Sequence, residues 1–170
     1  GVGTVAEALA KRCKAFDMKV IGFTRTAREV QYFDQMVDLK NVLSAIRQLD
    51  YLVVLAPYTP ENEGIVNSSV FFEMKESAYI INLARGKVVD DKALIQALKN
   101  GEIAGAGLDV FTKEPLPSSS PLWDLDNVII TPHMGGMSES YVRQAMPVLE
   151  HNLKAYLEND YGRMLNKVVR

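Results

Sequence analysis

The sequence has little of what marks several protein classes. One of its 170 residues is a cysteine, Cys13, which excludes an internal disulfide framework and a cysteine-rich zinc module and fits a reducing compartment. No apolar run approaches the ~20 residues that cross a bilayer, and no secretory signal pattern is present. Nineteen basic and 21 acidic residues leave a formal charge of -2, so no global field attracts nucleic acid or anionic lipid. We expect a cytoplasmic protein without a metal site and without nucleic-acid or membrane partners.

The remaining composition is that of a globular domain, with 48% hydrophobic and 24% charged residues. Short apolar runs alternate with helical patterns, which predicts an α/β fold with a doubly wound parallel sheet of the Rossmann type. The predicted strands are Val20–Phe23, Tyr51–Leu55, Tyr79–Leu83, the glycine-rich Ala104–Leu108, and Val128–Ile130. The predicted helices are Thr4–Phe16, Asn41–Leu49, Asp90 or Asp91 to Leu98 with a stop at Gly101, and Ser138 to about Glu158.

Two residues carry further expectations for the helices. Pro147 lies inside the last helical pattern, where it predicts a kink or a break, and Ser138 is the predicted cap of that helix. Cys13 lies on the apolar face of the first helix and is interpreted as a small core residue.

The first residues match the relaxed dinucleotide fingerprint, with Gly1, Gly3 and Ala6 at the required spacing. Small residues there allow a tight turn, a close approach of the backbone to a pyrophosphate, and close packing of the helix on the sheet. The amides of Thr4 and Val5 at the helix N-terminus would then face the phosphates. The alternative is a plain glycine-rich turn before a helix.

The strand after this helix ends without the carboxylate that usually accepts from the ribose 2′-hydroxyl of NAD. Thr24 and Arg25 stand at that position instead. A guanidinium can bind a 2′-phosphate, which predicts a preference for NADP(H), with Arg25 as the main ligand and Thr26 or Arg28 assisting. The alternative is a pair of solvated surface charges with dual cofactor use.

Three segments that follow predicted strands carry candidate catalytic residues. Arg85 lies in Ile81–Gly86, Glu114 in Leu108–Pro117, and His133 in Ile129–Gly136. Taken singly, each side chain could be an ordinary surface or loop residue. Jointly, in this order, the segments resemble the NAD-binding domain of the D-isomer-specific 2-hydroxyacid dehydrogenases, as does the turn Pro57–Glu61. The segment Ser120–Trp123 and Arg25 favour the glyoxylate/hydroxypyruvate reductase branch.

The resemblance implies hydride transfer between NAD(P)H and a small 2-oxo or 2-hydroxy acid. Arg85 would bind the substrate carboxylate and polarise the carbonyl, and His133 would exchange a proton with the substrate oxygen. Glu114 would orient the imidazole and stabilise its charged form, and Asp109 would contact the nicotinamide carboxamide. The other residues implied in cofactor binding are Ala56, Pro57, Leu83, Ala84, Gly135 and Gly136.

Two alternatives stay open within the family. One is an NAD-dependent phosphoglycerate or D-lactate dehydrogenase, which Thr24 and Arg25 disfavour. The other is a non-catalytic, nucleotide-sensing protein of the corepressor type. A homodimer is expected from the family, and the substrate is expected to be a small molecule.

The domain prediction follows from the same resemblance. Residues 1–150 are expected to be a dinucleotide-binding domain truncated at its N-terminus, lacking its first strand and the separate substrate domain. Residues 151–170 are expected to be a C-terminal helix and tail that return toward that domain. An isolated chain of this kind is expected to be poorly active.

Overall fold

The computed structural model describes residues 1–26 and 28–168. They form two compact units, a first unit Gly1–Met134 and a second unit that begins at Gly135. Among these residues no helix is both long and apolar enough to cross a bilayer.

The first unit contains two parallel sheets. In one, β1 pairs with β2, and in the other the strand order is β3-β4-β5-β6. Strands β3 and β4 are buried at alternate positions, on one face, whereas β5 is buried almost throughout, as a parallel strand covered on both faces should be. The strands are β1 Ile21–Thr24, β2 Gln35–Asp38, β3 Tyr51–Val54, β4 Tyr79–Asn82, β5 Gly105–Leu108 and β6 Val128–Ile130.

Five α-helices alternate with or flank these strands along the described residues, which confirms the predicted α/β class with a parallel, Rossmann-like sheet. The apolar sides of α2, α3 and α4 contribute to a core of the first unit that contains fully buried side chains such as Phe71, Ile80 and Leu94. The helices are α1 Thr4–Lys14, α2 Val42–Ile46, α3 Ser68–Glu73, α4 Asp91–Asn100 and α5 Tyr141–Leu157.

Helix α4 begins and ends where the sequence predicts. The Asp90 carboxylate accepts hydrogen bonds from the amides of Lys92 and Ala93, so it satisfies two of the free donors of the first turn. Gly101 ends the helix in the left-handed region, at φ +72°, where a residue without a Cβ is favoured. This helix follows directly on the turn that carries Arg85.

The glycines of β5 allow the close approach that the sequence suggests. A Cβ at Gly105 would lie 2.6 Å from the Asn127 carbonyl oxygen, whereas one at Gly107 would make only ordinary contacts with Ile81. The lack of a side chain at Gly105 therefore lets the chain before β6 lie against β5.

Several predicted elements differ from the structure. Strand β2 and helix α3 were not predicted, and the helix predicted over Asn41–Leu49 is a 3-10 turn, Leu39–Asn41, followed by the five-residue α2. Cys13 is half-buried rather than a core residue. These differences leave the order of the site-bearing strands unchanged.

The second unit contains α5 and a 3-10 turn, Tyr161–Arg163. Of the kink or break predicted at Pro147, the break is wrong, because α5 continues through this residue, while the kink stays a prediction. The N-cap residue of the helix is Ser140 rather than Ser138. The His151 ring donates from Nε2 to the Arg163 carbonyl oxygen at 2.8 Å, so this histidine has a structural contact within its own unit.

A groove separates the two sheets of the first unit. Residues of β1 and β3 line its two sides, and α1 contributes Ala6, Leu9 and Ala10. Because β1 pairs only with β2 and β3 only with β4, each presents an edge to this groove.

Candidate active site

A cleft lies at the carboxyl ends of the strands of the larger sheet. Strand β4 leads into Arg85, β5 leads into the segment of Glu114, and β6 leads into His133. Parallel strands end on the same edge of a sheet, which brings these three segments together. The cleft is lined by Val5, Leu55, Ala56, Pro57, Tyr58, Leu83, Ala84, Arg85, Gly86, Lys87, Phe111, Thr112, Glu114 and His133.

Glu114 and His133 form a direct pair in this cleft. The Nδ1 atom of His133 lies 2.7 Å from Oε2 of Glu114, and the other carboxylate oxygen accepts from the Phe111 amide at 2.9 Å. The hydrogen bond to His133 is the main cause that lowers the pKa of the Glu114 carboxyl below its ordinary value, and the hydrogen bond from the Phe111 amide is the second. The charges of His133 and Arg85 make smaller contributions in the same direction. An ionised Glu114 accepts a hydrogen bond from Nδ1–H of His133, which leaves Nε2 of the imidazole available for proton exchange.

Arg85 reaches the cleft from a turn that Asn82 organises. The Asn82 side chain is 1% exposed, accepts from the Ala84 amide at 3.0 Å and donates to the Arg85 carbonyl oxygen at 3.3 Å. The Arg85 guanidinium donates from Nη1 to the Ala84 carbonyl oxygen at 2.6 Å and is otherwise exposed toward solvent. A fixed turn thus presents a permanent positive charge in the cleft that contains the Glu114–His133 pair.

Gly86 brings the arginine turn against the glutamate segment. A Cβ on Gly86 would lie 1.9 Å from the Phe111 carbonyl carbon and 2.2 Å from the Thr112 amide nitrogen. Real Cβ atoms do not approach backbone this closely, so the two segments can pack in this way only with glycine at this position.

Asp109 organises the turn that carries His133. Its buried carboxylate accepts from the Thr131 hydroxyl at 2.5 Å and from the Met134 amide at 2.9 Å, on the two sides of the histidine. His133 itself has a positive φ of 54°, a conformation that a non-glycine residue adopts only when its surroundings impose it. The contact of Asp109 with a nicotinamide carboxamide stays a prediction.

The glycine-rich turn leaves open space at the start of α1, and its binding of a dinucleotide phosphate stays a prediction. A Cβ on Gly1 would lie 2.6 Å from the Ala56 Cα, so Gly1 permits the turn to lie against the backbone that follows β3. A Cβ on Gly3 would meet nothing within 4 Å, which leaves open space beside the backbone where α1 begins at Thr4. Open space at a helix N-terminus is the arrangement that a pyrophosphate needs.

The residues at the end of β1 lie apart from the cleft lining. The Thr24 hydroxyl donates to the Thr26 carbonyl oxygen at 2.6 Å, and Arg28 donates to the Val2 carbonyl oxygen of the glycine-rich turn at 3.1 Å. The exposed Arg25 contributes weakly, after the Thr59 hydroxyl and the backbone, to lowering the pKa of the Glu61 carboxyl. Arg28 therefore connects the segment after β1 with the glycine-rich turn.

Most of the predicted site residues lie in the cleft, in the glycine-rich turn or at the end of β1. Gly1 and Gly3 lie in the turn before α1, which begins at Thr4, and Thr24 is the last residue of β1, with Arg25 and Thr26 directly after it. Gly135 and Gly136 belong to the second unit, so their part in cofactor binding stays a prediction. The predicted residues that line the cleft are Val5, Ala56, Pro57, Leu83, Ala84, Arg85, Glu114 and His133.

Sequence reasoning missed the residues that hold the site together. Asn82 interrupts an apolar strand run, which is a usable sequence signal for a buried, hydrogen-bonded polar group. The packing of Gly86 on Phe111 leaves no signal in the sequence. Tyr58 and Lys87 were also missed, and the Lys87 ammonium lies 5.5 Å from the centre of the Tyr58 ring at the cleft.

Comparison with known proteins identifies what the chain is similar to. The family model described as "D-isomer specific 2-hydroxyacid dehydrogenase, NAD binding domain" matches residues 1–135. A glyoxylate reductase from Pyrococcus horikoshii is 40% identical over 156 residues, covering 92% of this chain and 46% of that protein. The chain therefore spans about half the length of the curated relatives that it matches.

Two solved structures of nicotinamide enzymes share the fold. A D-isomer specific 2-hydroxyacid dehydrogenase from Xanthobacter autotrophicus Py2, in complex with NADPH and MES, has a TM-score of 0.88 and 35% identity over 99% of this chain and 68% of its own. An NADPH-dependent glyoxylate/hydroxypyruvate reductase from Sinorhizobium meliloti, in complex with NADP and sulfate, has a TM-score of 0.84 and 30% identity over 94% of this chain and 51% of its own.

Proposed function

The chain belongs to the family of D-isomer specific 2-hydroxyacid dehydrogenases, of which it matches the NAD-binding domain, and we propose that it provides the cofactor-binding and proton-transfer part of such an enzyme. The substrate class is a small 2-oxo or 2-hydroxy acid of the glyoxylate/hydroxypyruvate type. The observation that carries the proposal is the 2.7 Å contact between His133 Nδ1 and Glu114 in the cleft that Arg85 also lines.

Each of these side chains has one role in the proposed reaction. The nicotinamide cofactor supplies or accepts the hydride when it is bound. Arg85 binds the substrate carboxylate with its planar fork and draws electron density from the adjacent carbonyl oxygen. His133 gives a proton to that oxygen from Nε2 during reduction, or takes one from the hydroxyl during oxidation. Glu114 holds the imidazole orientation and stabilises its charge while the proton is present.

The test is turnover by the full-length protein that contains this chain. With NADPH, we expect reduction of glyoxylate, hydroxypyruvate or pyruvate, and a fall in kcat of about 100-fold or more in His133→Asn. His151→Asn is the matched control, since His151 contacts only the second unit in the described bonds, and it should keep wild-type kcat. If the wild type reduces no 2-oxo acid, the corepressor-type alternative is favoured.

We further propose that the cofactor is NADP(H) rather than NAD(H). The proposal is supported by the absence of a carboxylate at Thr24, by the exposed guanidinium of Arg25 beside it, and by Arg28 on the glycine-rich turn. Arg25→Asp should weaken NADPH binding by about 10- to 100-fold, the size of one charge-assisted bond, and leave NADH binding unchanged or stronger. Equal or tighter NADH binding by the wild type would contradict the preference and favour the phosphoglycerate or D-lactate type.

The domain arrangement is also a proposal. The apolar groove between β1 and β3 has the shape that a further parallel strand would fill, which supports a dinucleotide-binding domain over residues 1–150 whose first strand is not among these residues. The return of residues 151–170 toward a substrate domain, the homodimer and the cytoplasmic location stay predictions. Sedimentation of the full-length protein at two concentrations would test the dimer, and a monomer at both would contradict it.

A further inference from the structure

We propose that Asn82 is a positioning residue for Arg85, a role that rests on the proposed function. Asn82 and Asp109 are the buried polar residues among the described positions; Asn82 is the last residue of β4, and Asp109 directly follows the neighbouring strand β5. Asp109 bonds the segment around His133, whereas Asn82 bonds the segment around Arg85. A buried amide whose side-chain oxygen and nitrogen both bond to one turn restricts the conformation of that turn.

The two side-chain bonds of Asn82 close the turn from both ends. Its Oδ1 accepts from the Ala84 amide, and its Nδ2 donates to the Arg85 carbonyl oxygen. The same carbonyl oxygen accepts from the Val88 amide, which begins the 3-10 turn Gly86–Val88. The Asn82 side chain therefore bonds the turn at both of its ends and shares the Arg85 carbonyl oxygen with the Val88 amide.

The backbone of Asn82 is itself immobilised by the sheet. Its carbonyl oxygen accepts from the Asp109 amide, and the next residue, Leu83, donates to the Val54 carbonyl oxygen of the adjacent strand. The side chain therefore extends from a rigid strand end to a turn that bears an exposed, long and flexible arginine. Holding the turn reduces the number of places in which the guanidinium can lie when substrate arrives.

Only an amide can make this pair of bonds without a charge. Asn82→Asp keeps the acceptor for Ala84 but replaces the donor by an oxygen that faces the Arg85 carbonyl oxygen. Asn82→Ser stays neutral but is too short to reach both groups. The two variants thus remove the donor in different ways, so the test can be read from one of them if the other does not fold normally.

The experiment is a double-mutant cycle in the full-length protein, with glyoxylate and NADPH. Asn82→Asp and Asn82→Ser should lower kcat/KM for the 2-oxo acid about 10- to 100-fold, by raising KM and lowering kcat. In an Arg85→Ala background, the same substitutions should change kcat/KM by less than about twofold, because the residue whose position they disturb is gone. Asn67→Asp, which keeps a helix-capping oxygen outside the cleft, is the control and should have wild-type kcat/KM.

The result that would overturn the inference is an equal loss in both backgrounds, since that would make Asn82 a general structural residue. Hydrogen exchange separates this failure from failure of the proposed function. Asn82→Ser should reduce protection of the Ala84 amide at least about tenfold and leave that of Leu94 in α4 unchanged. Unchanged protection in an active enzyme would refute the inference alone, whereas lost protection in a protein without turnover would refute the proposed function alone.

Discussion

Replacing Gly86 with alanine is the most severe small perturbation that the structure offers near the cleft. The added Cβ would lie 1.9 Å from the Phe111 carbonyl carbon, whereas ordinary contact begins at 3.4 Å. The Phe111–Thr112 peptide must therefore move by about 1.5 Å or the arginine turn must move by the same amount. Neither neighbour is a flexible side chain end, so the displacement cannot be absorbed locally.

The displacement reaches the Glu114–His133 pair, which we propose is catalytic, through one hydrogen bond. The Phe111 amide donates to Glu114, and Glu114 accepts from His133, so moving the Phe111 peptide moves the carboxylate that orients the imidazole. A misplacement of about 1 Å costs on the order of 100-fold in rate. Forcing extra atoms into a packed region costs about 1–3 kcal/mol of unfolding free energy. We therefore expect Gly86→Ala to lose both about 100-fold in kcat and about 1–3 kcal/mol in stability.

The assays are steady-state reduction of glyoxylate and urea unfolding of the same preparation. Gly107→Ala is the matched control, because its Cβ would lie 3.8 Å from Ile81 and make ordinary contact. This control should unfold within about 0.5 kcal/mol of the wild type and keep its kcat. A Gly86→Ala protein that matches Gly107→Ala in both measurements would refute the argument that the two loops are held in place by a missing side chain.

Three further predictions concern charges and hydroxyl groups. The Lys14 ammonium and a backbone amide lower the pKa of the Asp34 carboxyl, so its stabilising contribution is complete above about pH 4 and is lost in stronger acid. The difference in unfolding free energy between the wild type and Asp34→Asn should therefore be constant from pH 7 to about 5 and shrink below about pH 4. An undiminished difference at about pH 2 would contradict this. Glu114→Gln can keep the hydrogen bond from the Phe111 amide but loses the negative charge opposite the imidazole, so kcat should fall about 100-fold. An unchanged kcat would exclude the orienting role of Glu114. Thr131→Val removes a donor to the buried Asp109 and should cost about 1–3 kcal/mol in urea unfolding; no loss would show that the bond does not stabilise the histidine turn.

The parallel sheet could be predicted because β3, β4 and β6 are short apolar runs bounded by polar segments. Strand β2 has polar residues at both ends and only Met36 and Val37 between them, so its pairing with β1 determines its structure and local pattern does not. Helix α5 continues through Pro147 because helical turns on both sides outweigh one missing amide. Local patterns therefore predicted the strands with apolar runs and failed where tertiary contacts decide.

The site divides in the same way, between residues that carry chemistry and residues that set its geometry. Arg85, Glu114 and His133 could be predicted because their side-chain types and their places after strands indicate a function. The contacts that align them cross the chain: the Glu114–His133 bond spans 19 residues, and Gly86 acts through having no side chain at all. Such contacts depend on the distance between backbones, which no local pattern encodes. Because a charged side chain works only where its backbone is held, substitutions at Gly86 and Asn82 should reduce the rate although neither residue is proposed to touch the substrate.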